Sequence, residues 1–316
     1  MAGAARLLPG TPLFATRHRG LKAELLRLGR TIDSGSTVLI LGAPGTGKDR
    51  LARLLHEKSK RRAEPFLRID LAAIPDDLFE SELFGHERGS FTGAVAGKPG
   101  LLEGAGEGTV YLDRIDVLSP RAQGKLLRVV EERLFRRVGG TRPHSIKARL
   151  VASAGPDLPR RARTGEFRED LFYRLAVVTV RLPTLAERRD DIAAAARAIS
   201  REAGGPARLS TAAEALLRNA PWRGNWRELE TVVRRGALDA GEAGATVLDV
   251  SHLPLTGRED PESLLAEAAR SGWTLRRLAD AYIDVVLEET GGNVAGAARR
   301  LGIARKTLYE RRRGRA

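Results

Sequence analysis

The sequence predicts an α/β fold: a parallel sheet covered by helices, then a helical region and a small all-α module at the C-terminal end. Three observations lead there. An apolar run at 37–41 passes through a Gly-rich turn into the helical pattern Leu51, Leu54, Leu55. Four more apolar segments, 65–70, 108–113, 148–153 and 176–182, recur with helical stretches between them, the alternation that builds parallel sheets. Beyond Leu185 that alternation gives way to alanine-rich helical periodicity.

In chain order, residues 1–17 read as a short tail. Leu21, Leu25, Leu26 and Ile32 then mark an amphipathic helix that leads into the first strand. The α/β part spans 18–182 and the helical part 183–250. Residues 251–272, with a Pro, Gly and acidic run at 254–261, read as a linker, and 273–316 form the last module.

The composition narrows the class. Of 316 residues, 42% are apolar and 30% charged, which disfavours global disorder. No apolar run approaches the ~20 residues of a membrane span, and the start is too short for a signal peptide. Without cysteine there are neither disulfides nor thiolate metal sites, and His18, His56, His86, His144 and His252 lack ligand spacing. A cytoplasmic protein that does not engage membranes is expected. The net charge of +14 suits a polyanionic partner, although an arginine-rich compositional bias would give the same excess.

The turn after the first strand reads Gly42, Ala43, Pro44, Gly45, Thr46, Gly47, Lys48, Asp49. Strand, glycines and helix stand where a phosphate-binding loop needs them. Backbone N–H groups can wrap a phosphate, Lys48 adds a point charge, and a helix N-terminus favours an anion. Asp49 occupies the place where a Ser or Thr hydroxyl usually reaches magnesium.

Three further stretches follow in order: Glu80 to Ala94 (ESELFGHERGSFTGA), Gly165 to Leu175 (GEFREDLFYRL) and Trp222 to Leu229 (WRGNWREL). With the phosphate loop, they resemble the AAA+ domain of bacterial sigma-54-dependent transcriptional activators, the enhancer-binding proteins. The resemblance runs from about Gly20 to the C-terminus. It implies an AAA+ P-loop core with a helical lid, ATP and Mg2+ as cofactors, and assembly into a homo-oligomeric ring.

In the family a Gly-Ala-Phe-Thr-Gly-Ala loop touches sigma-54 of the RNA polymerase holoenzyme, and ATP turnover moves it. Here that loop is Gly89, Ser90, Phe91, Thr92, Gly93, Ala94, with Ser90 in place of alanine. Paired glycines allow the tip to flex, while Phe91 offers an apolar anchor and Thr92 a hydrogen bond. Arg168 and Arg174 match the family's arginine fingers, which reach the nucleotide of the neighbouring subunit with charge-spreading donors. Arg227 matches the second sensor of the lid.

The catalytic set departs from the pattern. The third strand should end in Asp-Glu, the Asp holding magnesium and the Glu polarising water. This chain has Asp113 followed by Arg114, which cannot accept a proton. Ala-Thr-Asn at the end of the fourth strand is replaced by Ser153-Ala154-Gly155, and the Asn that restrains the catalytic Glu is Asp70. An Asp70–Arg114 ion pair between adjacent strand ends is expected. A missing general base typically costs ~10²–10⁴-fold in rate, so hydrolysis should be slow. Asp116, two residues on, is the one nearby acid that could approach the site.

Residues 293–309 resemble the Fis-type helix-turn-helix. Asn293 can cap its first helix, Ala297 and Ala298 permit close packing, and Gly302 suits the turn. Arg305, Lys306, Thr307 and Tyr309 would then face base edges, and Arg311, Arg312, Arg313 and Arg315 the phosphates of double-stranded DNA, bound as a dimer. A plain helical bundle with a basic tail is the alternative.

The tail before Gly20 is too short for a receiver or sensory domain, so control from a partner, from expression level, or no control at all is expected. Two mechanisms fit: a mechanoenzyme that opens sigma-54 promoters, or a hydrolysis-deficient nucleotide-binding repressor or mixed-ring subunit. A general AAA+ remodeller is disfavoured by both the loop and the helix-turn-helix.

Overall fold

Five of the apolar segments become strands: β1 (Val38–Leu41), β2 (Phe66–Asp70), β3 (Thr109–Asp113), β4 (Arg149–Ala154) and β5 (Val178–Arg181). They pair in parallel in the order β2-β3-β4-β1-β5. All residues of β1, β3 and β4 are buried, which is why these strands read as continuous apolar runs. The computed structural model describes residues 12–92, 94–254, 269, 271–290 and 293–308. It divides the chain into two units, 1–254 and 255–316.

In the first unit, helices α1 (Arg19–Thr31), α2 (Lys48–Lys58), α3 (Pro120–Glu132) and α4 (Glu169–Leu175) accompany the sheet. Leu112, Leu126, Leu150, Phe167 and Leu171 share one core cluster, joining sheet to α3 and α4. Local chemistry sets the helix ends. His18 Nδ1 accepts from Leu21 N and starts α1, while Ser119 caps α3 with Pro120 in its first turn. The carbonyls that follow α1 are met from across the fold: buried Arg149 donates to Ile32 O at 2.5 Å and Ser36 O at 3.1 Å.

The helical part consists chiefly of α5 (Ile192–Glu202), α6 (Thr211–Asn219) and α7 (Asn225–Glu242). Residues 12–17, assigned to the tail from sequence, are packed. Leu13 and Phe14 are buried, Thr16 Oγ1 and Arg17 N donate to Asp191 at 2.5 and 2.7 Å, and Arg188 donates to Leu13 O at 2.7 Å. The apolar pair Leu13-Phe14 is long enough to enter the core but too short to register as a periodic element. Of the expected linker, Val250–His252 form a 3-10 turn and Leu253 is buried; residues 255–268 and 270 lie outside the described residues. A hairpin of Leu134–Arg136 with Pro143–Ser145 had no counterpart in the sequence reading.

In the second unit, α8 (Leu275–Glu289) and α9 (Val294–Leu301) pack through Ile283, Val286, Ala297, Ala298 and Leu308. Asn293 caps α9 by accepting from Gly296 N at 3.1 Å. Gly302 ends it at φ +67°, the left-handed conformation glycine adopts without strain.

Arg188 and Asp191 are both buried and pair at 2.9 Å, and Asp191 also fastens the N-terminal segment. Removing one partner strands the other charge. Asp191→Ala is therefore expected to cost about 3–5 kcal/mol in urea unfolding; a loss below about 1 kcal/mol would contradict this role.

Candidate functional site

The C-terminal edge of the sheet, where β1 and β4 adjoin, is where open parallel sheets bind ligands. There β1 runs into residues 42–47, and α2 begins at Lys48. Gly45 and Gly47 adopt φ +74° and +94°. A Cβ on Gly45 would come within 2.1 Å of Gly224 O, and one on Gly47 within 2.3 Å of Leu13 Cδ2, so only glycine fits both places. Thr46 is buried and donates to Ala43 O at 2.8 Å. Lys48 Nζ donates to Gly42 O at 2.6 Å and Ala43 O at 3.2 Å; burial pushes its pKa down, against the nearby charge of Asp113.

The loop borders a cleft of about 510 Å³ lined by five basic and five acidic side chains. Lys48, Asp49, Arg114, Asp113 and Arg227 are all brought there, Arg227 from α7. That helix also holds the loop. Asn225 Nδ2 donates to Pro44 O at 3.0 Å while its Oδ1 accepts from Leu185 N at 2.8 Å, and Trp226 N donates to Gly45 O at 3.0 Å.

Two crossed ion pairs span the ends of β2 and β3. Asp70 and Asp113 are register partners, so two carboxylates stand side by side. The Arg114 guanidinium reaches back to Asp70, with Nη2 at 2.5 and 2.7 Å from its oxygens and Nε at 3.1 Å, in the Asp70–Arg114 pair expected from sequence. In the other direction, Arg68 Nη2 donates to Asp113 Oδ2 at 2.8 Å. Ser153 Oγ and Tyr111 OH donate to Asp113 Oδ1 at 2.6 and 2.9 Å. Burial raises the Asp113 pKa, but these bonds from Ser153, Tyr111 and Arg68 outweigh it and hold the carboxyl below its usual range.

This donor set does not fit magnesium at Asp113, the metal ligand the resemblance implied. Both acceptor places on Oδ1 are filled, and a dication on Oδ2 would share that oxygen with a guanidinium. Asp116 also lines the cleft, with Oδ2 accepting from Gly155 N at 3.2 Å and Oδ1 buried without a partner among the described residues. A Cβ at position 155 would stand 3.2 Å from Asp116 Oδ2 and 2.8 Å from Asp157 Oδ1. Gly155 and Asp116 thus accommodate one another.

Arg168 and Arg174 do not join the cleft within one chain. Arg168 pairs with Asp170 at 2.7 Å and Arg174 with Glu131 at 2.8 Å, and both arginines are exposed. In the loop at 89–94, Phe91 is 44% exposed, its ring resting edge-on against His86 at 5.0 Å, and Thr92 is exposed. Ser90 Oγ is buried without a partner among the described residues, Ala94 is buried, and Gly93 lies outside them. In the second unit Arg305, Lys306 and Thr307 are exposed and helical, opening the helix that follows the turn at Gly302. Tyr309, Arg311, Arg312, Arg313 and Arg315 lie outside the described residues.

The sequence reading gave no role to Arg68, Tyr111, Ser153 or Asn225. Arg68 stands two residues before Asp70 and so shares its face, a signal that strand alternation supplies; its partner on β3 depends on register.

Comparison with known proteins agrees with this architecture. Residues 14–181 match the sigma-54 interaction domain, 186–269 the AAA+ ATPase lid domain, and 269–313 the bacterial regulatory protein Fis family. The chain is 42% identical over 286 residues to the Nif-specific regulatory protein of Azotobacter vinelandii, covering 87% of this chain and 53% of that protein. To the Nif-specific regulatory protein of Klebsiella pneumoniae it is 41% identical, with 87% and 53% covered. It thus spans about half the length of these curated relatives. NtrX from Brucella abortus, solved in complex with ATP, superposes with a TM-score of 0.66 at 30% identity, over 94% of this chain and 67% of that one.

Asn225 is buried, sits at φ +53°, and satisfies groups on both sides of the lid–loop contact. Asn225→Ala leaves Leu185 N and Pro44 O unpaired and places alanine in the left-handed region. A loss of about 2–4 kcal/mol in denaturant unfolding is expected; a change within about 0.5 kcal/mol would contradict the latch.

Proposed function

The chain belongs to the family of sigma-54-dependent transcriptional activators, and from that premise we propose that it is a DNA-binding regulator that holds an adenine nucleotide while hydrolysing it poorly. The single observation that carries this reading is Arg114, tied to both carboxylate oxygens of Asp70 through Nε and Nη2 at the place where the catalytic glutamate is expected. A guanidinium cannot take a proton from water, and this one is also anchored away from the role.

Binding draws on other groups. The loop of residues 42–49, Lys48 and Arg227 surround the phosphate position, and the ATP-bound state of NtrX supports nucleotide in a fold of this kind. Arg168 and Arg174, exposed on the surface, suit a ring in which each subunit offers arginines to the nucleotide of its neighbour. Residues 89–94 are proposed to contact sigma-54 through Phe91 and Thr92. Arg305, Lys306 and Thr307, with Tyr309 and the arginines at 311–313, are proposed to bind DNA. A regulator of this kind acts as a repressor or as a subunit of mixed rings.

A second reading, a working promoter-opening mechanoenzyme, is favoured by one observation: the loop still presents Phe91 and Thr92 to solvent. Asp116, which lines the cleft and accepts from Gly155 N through Oδ2, would then orient water.

Phosphate release at saturating ATP, across protein concentrations, separates the two. Turnover is expected at least ~10²-fold below the one per second of an ordinary enzyme; a rate near one per second would establish the second reading. Arg114→Glu combined with Asp70→Asn is expected to raise turnover by about tenfold or more, and an unchanged rate would exonerate the pair. DNA affinity should fall more than about tenfold between 50 and 200 mM salt and vanish on deleting residues 293–316. Affinity indifferent to either would contradict the DNA-binding assignment.

A further inference from the structure

We infer that the cleft takes its nucleotide without magnesium, the Arg68 guanidinium occupying the carboxylate that would hold the dication and lending its positive charge to the phosphates. The inference rests on the nucleotide reading above and concerns which partner the nucleotide brings with it.

The argument starts from the strand register. Asp70 and Asp113 face each other across β2 and β3, and a dication would be one way to offset two adjacent carboxylates. This chain offsets them with its own side chains instead. Arg114 engages Asp70 through three contacts, and Arg68 engages Asp113 at 2.8 Å. Ser153 and Tyr111 fill the other Asp113 oxygen. Three donors converge on one carboxylate, with no acceptor place left that is clear of a guanidinium.

Arg68 is suited to both tasks. Its side chain is 47% exposed and lines the cleft, while that of Asp113 is 11% exposed. A guanidinium has five N–H donors in a planar fork, so one edge can hold the carboxylate while the remaining donors address phosphate oxygens. Lys48, Arg114 and Arg227 line the same cleft. A phosphate chain entering here meets cations already in place, and a magnesium ion would add like charge beside Arg68.

Titration calorimetry of the full chain with ADP and with ATP, in millimolar magnesium and in EDTA, tests this. Dissociation constants are expected to agree within about threefold, and a tightening of tenfold or more with magnesium, about 1.4 kcal/mol, would overturn the inference. Binding confined to magnesium buffer would overturn it too while leaving the nucleotide reading intact; no binding in either buffer brings down both. In Arg68→Met, freeing Asp113, magnesium is expected to tighten ADP binding about tenfold or more, and a variant as indifferent to metal as the parent would overturn the role of Arg68. Circular dichroism on the same samples verifies that the variant is folded.

Discussion

Two carboxylates side by side at the end of a parallel sheet are the constraint around which this site is built. Asp70 and Asp113 are fixed opposite each other by the pairing of β2 and β3, and neither can withdraw without breaking the ladder. Charge must come from somewhere. Arg114 follows Asp113 and reaches back to Asp70, while Arg68 precedes Asp70 and reaches across to Asp113. The exchange is reciprocal, each strand neutralising its neighbour. Of the two ion pairs, the half-exposed Asp70–Arg114 one is worth little to stability, about 0–1 kcal/mol. Their consequence is chemical: they engage both carboxylates that line this side of the cleft.

Around those carboxylates the loop at 42–49 and the helical lid are built as one contact. The phosphate loop is shaped by Gly45 and Gly47 and tied to the lid by Asn225 and Trp226, so lid and loop are mechanically joined. The loop at 89–94 stays exposed at Phe91, steadied by His86, which bonds Ser81 Oγ at 2.8 Å and Ala96 O at 3.1 Å. Binding energy and chemical turnover draw on different atoms in such a site. A chain can lose the second and still respond to the first, because a ligand shifts a conformational equilibrium by its differential affinity alone.

Much of this was legible in the residues. The five strands fall within a residue or two of the apolar segments, because buried parallel strands leave unbroken apolar runs. Asn293 and Gly302 bound α9 as their cap chemistry indicates. The Asp70–Arg114 pair could be anticipated, since both residues end adjacent strands in the recognised fold. Arg68 could not, because its partner depends on register, which no local pattern states. The packing of Leu13 and Phe14 was hidden for a similar reason: their contacts are with residues about 175 positions away, as the bond from Arg188 to Leu13 O illustrates. Gly155 looked like a simple loss until Asp116 was found occupying the neighbouring space.

The most direct test of the central claim is a crystal structure of the chain grown with ATP and magnesium. The account predicts intact ATP on the loop at 42–49, Arg114 still on Asp70, Arg68 still on Asp113, and no metal on either carboxylate. A structure with Arg114 swung away from Asp70 and a magnesium ion coordinated by Asp113 would contradict it.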